Sequence, residues 1–395
     1  MRNIFISASI LALAACGFSS TDSDPDETQV ATAEVSKPDN LADEMASRDD
    51  AMGGDQTDEI PDSSERPVMQ AQVVLDRQGF GPGVIDGKMG ASTENALRGF
   101  QEANGLKVTG ELDEATKQKL AAWNKVPATR IVTIPASWSR LTFKEVPESP
   151  KKQAEMERLG YNSLDEKLAE RFHTTIEVLK SLNPGGKPAG PQNAASAAGQ
   201  SSANAQPDEE KPVTASVFSP GQTIRVPNIG ADRIVPGAIE NQDWAKTLAS
   251  LGVGSEQPEA DRVVVSKSGG TLKVFDAQDK LVALFTVTTG SENDPLPLGE
   301  WKVNGTAYNP PFAYDPELFW DVPDDDAKQQ LPPGPNGPVG VVWIDLSKEH
   351  YGIHGTPEPQ TIGRAESHGC VRLTNWDAAR LAGMVSPGTK VLFEA

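Results

Sequence analysis

The 395-residue sequence predicts a multidomain chain: a small three-helix unit, then a short α+β segment, then a mostly β domain. Three observations predict it. Apolar residues recur at helical spacing between residues 67 and 125. Two helix-capping boxes and an Asn-Pro stop fall between residues 161 and 184. Beyond residue 259, short β-branched runs are separated by Gly, Asp and Gln turns.

The N-terminus opens Met1-Arg2-Asn3, runs apolar from Ile4 to Ala15 and reaches Cys16. A basic start, a short apolar core and small residues before a cut point make a secretory signal over residues 1–15. The run is too short to span a bilayer stably. Leu13-Ala14-Ala15-Cys16 resembles a bacterial lipobox, which implies that Cys16 carries lipid and holds the mature chain at a membrane surface. Gly17, standing where a sorting Asp would, then implies the outer membrane, so the expected location is periplasmic and lipid-anchored. Residues 16–66 read as an acidic tether. Between Thr21 and Arg66 fifteen Asp/Glu face three Lys/Arg, with few aromatics, too little apolar surface to fold. The formal charge of −20 argues against nucleic acid as a partner.

Residues 67–125 carry the three helices. Val68, Val73, Val74 and Leu75 suit a first helix that stops at Gly79, and the Gly-rich turn Gly81–Gly87 follows. A second helix starts near Ser92 and aligns Ala96, Leu97 and Phe100; Asp113 caps a third that carries Ala115 and Leu120. The order Asp86-Gly87, Thr93, Ala96-Leu97, Phe100-Gln101, Gly105-Leu106, Thr109-Gly110, Leu112-Asp113, Thr116, Leu120 resembles the peptidoglycan-binding domain 1 family. The resemblance implies a glycan or peptide of the cell wall as partner.

Residues 126–230 form the α+β segment. Ser163-Leu164-Asp165-Glu166 and Thr174-Thr175-Ile176-Glu177 each open a short amphipathic helix, and Asn183-Pro184 ends the second. A low-complexity insertion covers 185–212, followed by Pro220-Gly221-Gln222 and Val226-Pro227. Helix, helix, Asn-Pro, Pro-Gly-Gln and Val-Pro are similar to a LysM module; a degenerate spacer of the same shape is the competing reading. His173, between the two helices, is expected to be an ordinary turn residue. Residues 231–258 are expected as a linker.

Residues 259–395 form the mostly β domain. Strands are expected at Arg262–Ser266, Thr271–Asp276, Leu281–Thr288, Trp301–Asn304, Val339–Asp345 and Lys390–Phe393, with one helix from Asn375 to Met384 capped by Asn375. Tyr314 to Pro338 reads as a long insertion of the kind that covers an active site.

The chemistry concentrates here. Exported chains usually spend cysteines in pairs, and this one has two, Cys16 and Cys370. If Cys16 carries lipid, Cys370 has no partner. His350, His354 and His368, three of the four histidines, lie within twenty residues of it. A thiol becomes a nucleophile when a nearby His lowers its pKa or takes its proton, and Gly369 leaves room for amide N–H groups to face an oxyanion. Cys/His acyl transfer through a thioester is the reading. Zinc on His354, His368 and Cys370 is disfavoured, since no second Cys cluster exists to complete a site. An inert buried Cys370 is equally disfavoured, and His350 is expected at the surface or in packing.

Tyr351-Gly352-Ile353-His354-Gly355-Thr356 and Ser367-His368-Gly369-Cys370-Val371-Arg372-Leu373 resemble the signature of the YkuD-type L,D-transpeptidase family. Thr289-Gly290, Pro297–Trp301, Asn309–Phe312 and Leu331–Asn336 agree with it. The resemblance implies a YkuD-type catalytic domain in which Cys370 is the nucleophile and His354 the general base. The Gly355 carbonyl would orient the imidazole, and backbone N–H groups around His368, Gly369 and Cys370 would form an oxyanion hole. Ser367 and Arg372 would hold the loop and contact substrate. It implies a peptidoglycan stem peptide as substrate, 3→3 cross-links with release of D-alanine as the reaction, and neither cofactor nor metal. An L,D-carboxypeptidase, an enzyme attaching or releasing wall proteins, and a non-enzymatic tether from membrane to wall are the alternatives.

Overall fold

The structure, a computed structural model, describes residues 60–190, 215–230, 232–318, 327–365, 367 and 369–395. The signal-like segment, Cys16, most of the acidic tether, most of the 185–212 insertion and His368 lie outside the described residues.

Helix α1 (Pro67–Arg77) starts with Pro at its first position, where the missing N–H costs nothing. Helix α2 (Ala91–Ala103) turns Ala96, Leu97 and Phe100 inward. Helix α3 (Glu114–Leu120) is capped by Asp113, whose carboxylate accepts from Thr116 N at 2.8 Å. Between α1 and α2 lies a strand too short for a sequence pattern to reveal, β1 (Phe80–Gly81).

The second module runs β2 (Thr129–Thr133), α4 (Pro150–Ala154), α5 (Leu164–Arg171), α6 (Ile176–Leu182) and β3 (Thr223–Pro227). Its two strands pair antiparallel, Thr129 opposite Pro227 and Thr133 opposite Thr223. Ser163 caps α5, accepting from Glu166 N at 3.2 Å. Thr175 rather than Thr174 caps α6. The Thr174 hydroxyl instead donates to the Ile85 carbonyl at 2.7 Å, tying this module to the first. The end of the expected tether is also docked: the buried Arg225 guanidinium reaches the Ile60 carbonyl at 2.6 Å and Asp62 at 3.7 Å.

The stretch 231–258, expected as a linker, contains helix α7 (Gln242–Leu251), capped by Asn241 and ended by Gly252 in the left-handed conformation. Trp244, Leu248 and Leu251 from this helix enter the core of the β domain. Their spacing was visible in the sequence, and burial against the sheet, not connection, is what it serves.

The β domain contributes β4 (Arg262–Ser266), β5 (Thr271–Phe275), β6 (Leu281–Thr286), β7 (Gly299–Tyr308), β8 (Phe312–Tyr314), β9 (Gln329–Leu331), β10 (Val342–Leu346), β11 (Gly352–His354), β12 (Val371–Arg372), helix α8 (Asn375–Met384) and β13 (Lys390–Glu394). One nine-stranded sheet runs β1-β6-β5-β4-β13-β7-β10-β11-β12. Its first strand comes from the helical module, Phe80 pairing in parallel with Leu284. The β8–β9 hairpin begins at Phe312, ahead of the expected 314–338 insertion, ends inside it, and packs through β9 against α4. Thr374, not Asn375, caps α8, accepting from Asp377 N at 3.1 Å, so the Asn375 side chain is left for another use.

The modules share their cores. Val74, Leu75, Ala96, Leu97 and Phe100 of the first pack with Leu281 and Leu284 of the sheet. Met69, Val73 and Ile85 pack with Leu168, Phe172 and Leu179 of the second. His173 corrects the expectation of an ordinary turn residue. It does take a positive φ of 53°, but it is wholly buried. Its Nδ1 lies 3.2 Å from Asp76 Oδ1 of α1, its Nε2 lies 2.9 Å from the Leu251 carbonyl, and its ring stacks on Trp376 of α8 at 4.9 Å. One side chain thus joins all three modules.

Candidate active site

Strands β11 and β12 are parallel neighbours, with Ile353 opposite Val371 and His354 opposite Arg372. This register brings the Gly369-Cys370 corner, which leads into β12, beside the strand that ends at His354. A second pairing closes the corner. Arg372 N donates to the Thr288 carbonyl at 2.9 Å, and Thr288 N returns a bond to the Arg372 carbonyl at 3.0 Å. Ser367 staples the loop: its N donates to Thr289 O at 3.1 Å, its carbonyl accepts from Ser291 N at 3.1 Å, and its hydroxyl donates to the Cys370 carbonyl at 2.6 Å.

His354 is buried, and its ring stacks on Trp343 of β10 at 5.6 Å and 21°. Its Nδ1 lies 2.7 Å from the Gly355 carbonyl. A carbonyl only accepts, so Nδ1 carries the proton and Nε2 keeps its lone pair. Burial pushes this imidazole down to about 4, the Arg372 charge adds to the shift, and the Gly355 bond opposes it. At neutral pH the ring is therefore neutral and able to take a proton.

Cys370 is partly exposed as a residue, yet its thiol sits deep enough that burial pushes its pKa up. The Gly352 N–H and the Arg372 charge pull the other way. The sulfur lies 3.9 Å from the His350 carbonyl, and among the described residues no hydrogen bond joins it to His354. The resting pair is a neutral thiol beside a neutral imidazole. Such a pair makes a thiolate only as the proton moves to Nε2.

Gly369 has a φ of 99°, and a Cβ there would stand 2.9 Å from Cε1 of Tyr351. Both facts demand glycine. Among the described residues no hydrogen bond takes the Gly369 or Cys370 backbone N–H. His350 is at the surface, its ring beside Glu349 and only its carbonyl turned to the thiol.

Cys370, His354, Gly355, Gly369, Ser367 and Arg372 thus converge on one corner, while Cys16 and His368 are the two candidates outside the described residues. The contacts that Trp343, Tyr351 and Asn375 make at this corner were not foreseen from the sequence, although Tyr351 stands in the signature and Asn375 was expected as a helix cap. Trp343 lay on an expected strand, but its pairing with His354 is a contact between distant segments.

A family model described as the L,D-transpeptidase catalytic domain, YkuD, matches residues 260–392, and one described as a peptidoglycan binding domain matches residues 64–120. The chain is 35% identical over 130 residues to a Bacillus licheniformis protein named L,D-transpeptidase YkuD, covering 33% of this chain and 63% of that one. It thus spans less than two thirds of that relative's length. It is 30% identical over 136 residues to Bacillus subtilis YqjB, named likewise, covering 33% of this chain and 69% of that one. A Fuscovulum blasticum protein named an L,D-transpeptidase in the ATP synthase subunits region is 42% identical over 178 residues, which are 43% of this chain and 88% of that one. Taken with the Cys370–His354 corner, these matches show that the chain belongs to the YkuD-type L,D-transpeptidase family.

Proposed function

We propose that this protein is a peptidoglycan L,D-transpeptidase that uses Cys370 as nucleophile and His354 as general base. The observation that carries the reading is the His354 Nδ1 to Gly355 carbonyl bond of 2.7 Å, which leaves Nε2 as the proton acceptor on the strand beside Cys370. The thiol gives its proton to Nε2 as sulfur attacks the carbonyl between the L-centre of a diamino acid and a terminal D-alanine. The backbone N–H groups of Gly369 and Cys370, with that of His368, hold the oxyanion. Collapse breaks the C–N bond, and the protonated His354 returns its proton to the departing D-alanine amine. An amine of a second stem peptide then attacks the thioester, loses its proton to His354 and expels the thiolate, leaving a 3→3 cross-link. Ser367 keeps the loop folded and Arg372 faces polar groups of the substrate. The helical module supports the same reading. A groove of about 310 Å³ lined by Met89, Glu94, Arg98 and Gly110 offers a place to hold the wall polymer and raise local substrate concentration.

The test is incubation of the protein, and of Cys370→Ala, with disaccharide-tetrapeptide, followed by liquid chromatography–mass spectrometry. Cross-linked dimer that vanishes in the variant is the expected result. Tripeptide alone would make the protein an L,D-carboxypeptidase, and identical products from both proteins would sink the cysteine mechanism. In addition, kcat/KM should hold down to about pH 5 and fall through about pH 4, following His354. An acid limb near the ordinary 6.5 would mean that burial does not depress His354 in the free enzyme.

At the other end of the chain, Leu13-Ala14-Ala15-Cys16 supports lipidation at Cys16 and residence on the periplasmic side of the outer membrane. In cells, Cys16→Ala should move the protein from the membrane fraction to the soluble one, and an unchanged distribution would remove this reading.

A further inference from the structure

The Asn375 side chain, freed from capping, stands at a junction of three backbone segments. Its Oδ1 accepts from Val341 N at 3.3 Å. Its Nδ2 donates to the Pro335 carbonyl at 3.1 Å and to Glu170 Oε1 at 2.7 Å. It also presses on Gly355 so closely that a Cβ there would lie 3.3 Å from the Asn375 Cα and nearer still to its amide oxygen. Gly355 is the residue whose carbonyl holds the His354 ring.

Glu170 belongs to α5 of the second module, not to the β domain. It is buried with Asn375 and the Tyr161 hydroxyl as its hydrogen-bond partners. The same module grips the segment leading into β10. Leu159 N donates to Pro333 O at 3.0 Å, Asn336 N donates to Leu159 O at 3.0 Å, and the Asn336 amide reaches Glu166 Oε1 at 2.9 Å. That segment ends in β10, whose Trp343 lies against His354. Both supports of the imidazole, the carbonyl it donates to and the ring it stacks on, therefore trace back to the second module.

We propose that Glu170 is a positioning residue for His354, acting through Asn375 and the Gly355 carbonyl, so that the second module sets the tautomer of the catalytic imidazole. This deepens the transpeptidase reading and rests on it for the role of His354. The physical basis is preorganisation: a buried acceptor fixes an amide, the amide fixes a turn, and the turn fixes the ring. Glutamine at position 170 retains a carbonyl oxygen for Asn375 and should serve, whereas alanine should not.

The test is nuclear magnetic resonance of the ¹⁵N-histidine-labelled protein, reading the tautomer and titration of His354 without substrate. Wild type and Glu170→Gln should show the Nδ1–H tautomer and a midpoint near 4. Glu170→Ala should show mixed tautomers and a midpoint moved up toward the ordinary 6.5. Asn375→Ala, which changes no residue of the second module but removes the link to Glu170, should reproduce that change, and if Glu170→Ala does not fold, a wild-type His354 spectrum in Asn375→Ala overturns the proposal. With stem peptide, Glu170→Ala should lower kcat about tenfold with KM unchanged, as expected for a misplaced base. A His354 spectrum unaltered by either alanine variant overturns the positioning role, whatever the protein catalyses. Altered spectra without cross-linking would overturn the transpeptidase reading and leave the coupling standing.

Discussion

Two buried carboxyl groups join the modules, and they are handled in opposite ways. Asp76 of α1 meets Arg380 of α8 through two bonds of 2.8 Å and His173 at 3.2 Å. Burial alone would raise its pKa, but Arg380 and then His173 overcome that and hold it well below the usual carboxylate range. Glu170 has an amide and a phenol for partners instead. Lys167, its neighbour in sequence, turns its ammonium to Ser250 Oγ at 2.5 Å. Burial therefore prevails and lifts Glu170 to about 7. A desolvated charge needs a matched charge, and Asp76 has one; without it the group gives up its charge and serves as a neutral acceptor. The first junction is a clamp. The second is a spacer whose state changes in the neutral pH range.

The sharpest way to break this contrast is Asp76→Ala. It would leave Arg380 buried with Asp377 at 3.6 Å, a carboxyl that burial raises to about 7. Removing one member of a buried pair costs about 3–5 kcal/mol, which a urea titration would register. A loss below about 1 kcal/mol would mean that the clamp is solvated. His173→Phe keeps a ring over Trp376 but strips the Leu251 carbonyl of its partner at 2.9 Å, while Asp76 Oδ1 keeps its bond from Arg380. Unmet buried acceptors cost about 1–3 kcal/mol, read as a lower melting temperature.

Glu170→Gln should have the smallest effect, under about 1 kcal/mol, and a pH signature. The folded pKa of about 7 lies above the ordinary 4.5, so the folded protein keeps a proton that the unfolded chain has lost. Its contribution is full below about 4.5 and is lost as pH rises through about 7. Asp377, raised to about 7 from 3.8, acts in the same sense, so the substitution should flatten the decline of stability over that window without abolishing it. An unchanged slope would mean that Glu170 is ionised in the folded protein.

The local features of this fold were legible. The Asp113 and Ser163 caps, the α8 boundaries and the β4 boundaries coincide with what turn chemistry and periodicity dictate, because each is decided within a few residues. The Cys370 corner was legible as residue types, since reactive side chains crowd one stretch. What stabilises that corner was not. Trp343 meets His354, and Asn375 meets Glu170, across sheet pairings and module boundaries that no window of sequence spans. The cap of α8 shows the limit well. Thr374 and Asn375 are both good caps, and only the demand for an amide between Gly340 and Gly355 explains why threonine takes the role. His173 was misjudged for the same reason, because its turn geometry is local while its three partners lie far away in sequence.

The two residues of β1 matter for anyone who would handle the β domain alone. They cover the outer edge of β6, and the helices around them cover Leu281 and Leu284. A protein trimmed to begin near residue 240, so that α7 still fills the core, would bare a row of unpaired amides and carbonyls flanked by those leucines, the surface on which strands of separate molecules add to one another. The helical module is thus also a solubility device, and an isolated domain that precipitates would be reporting a missing edge rather than a misfolded centre.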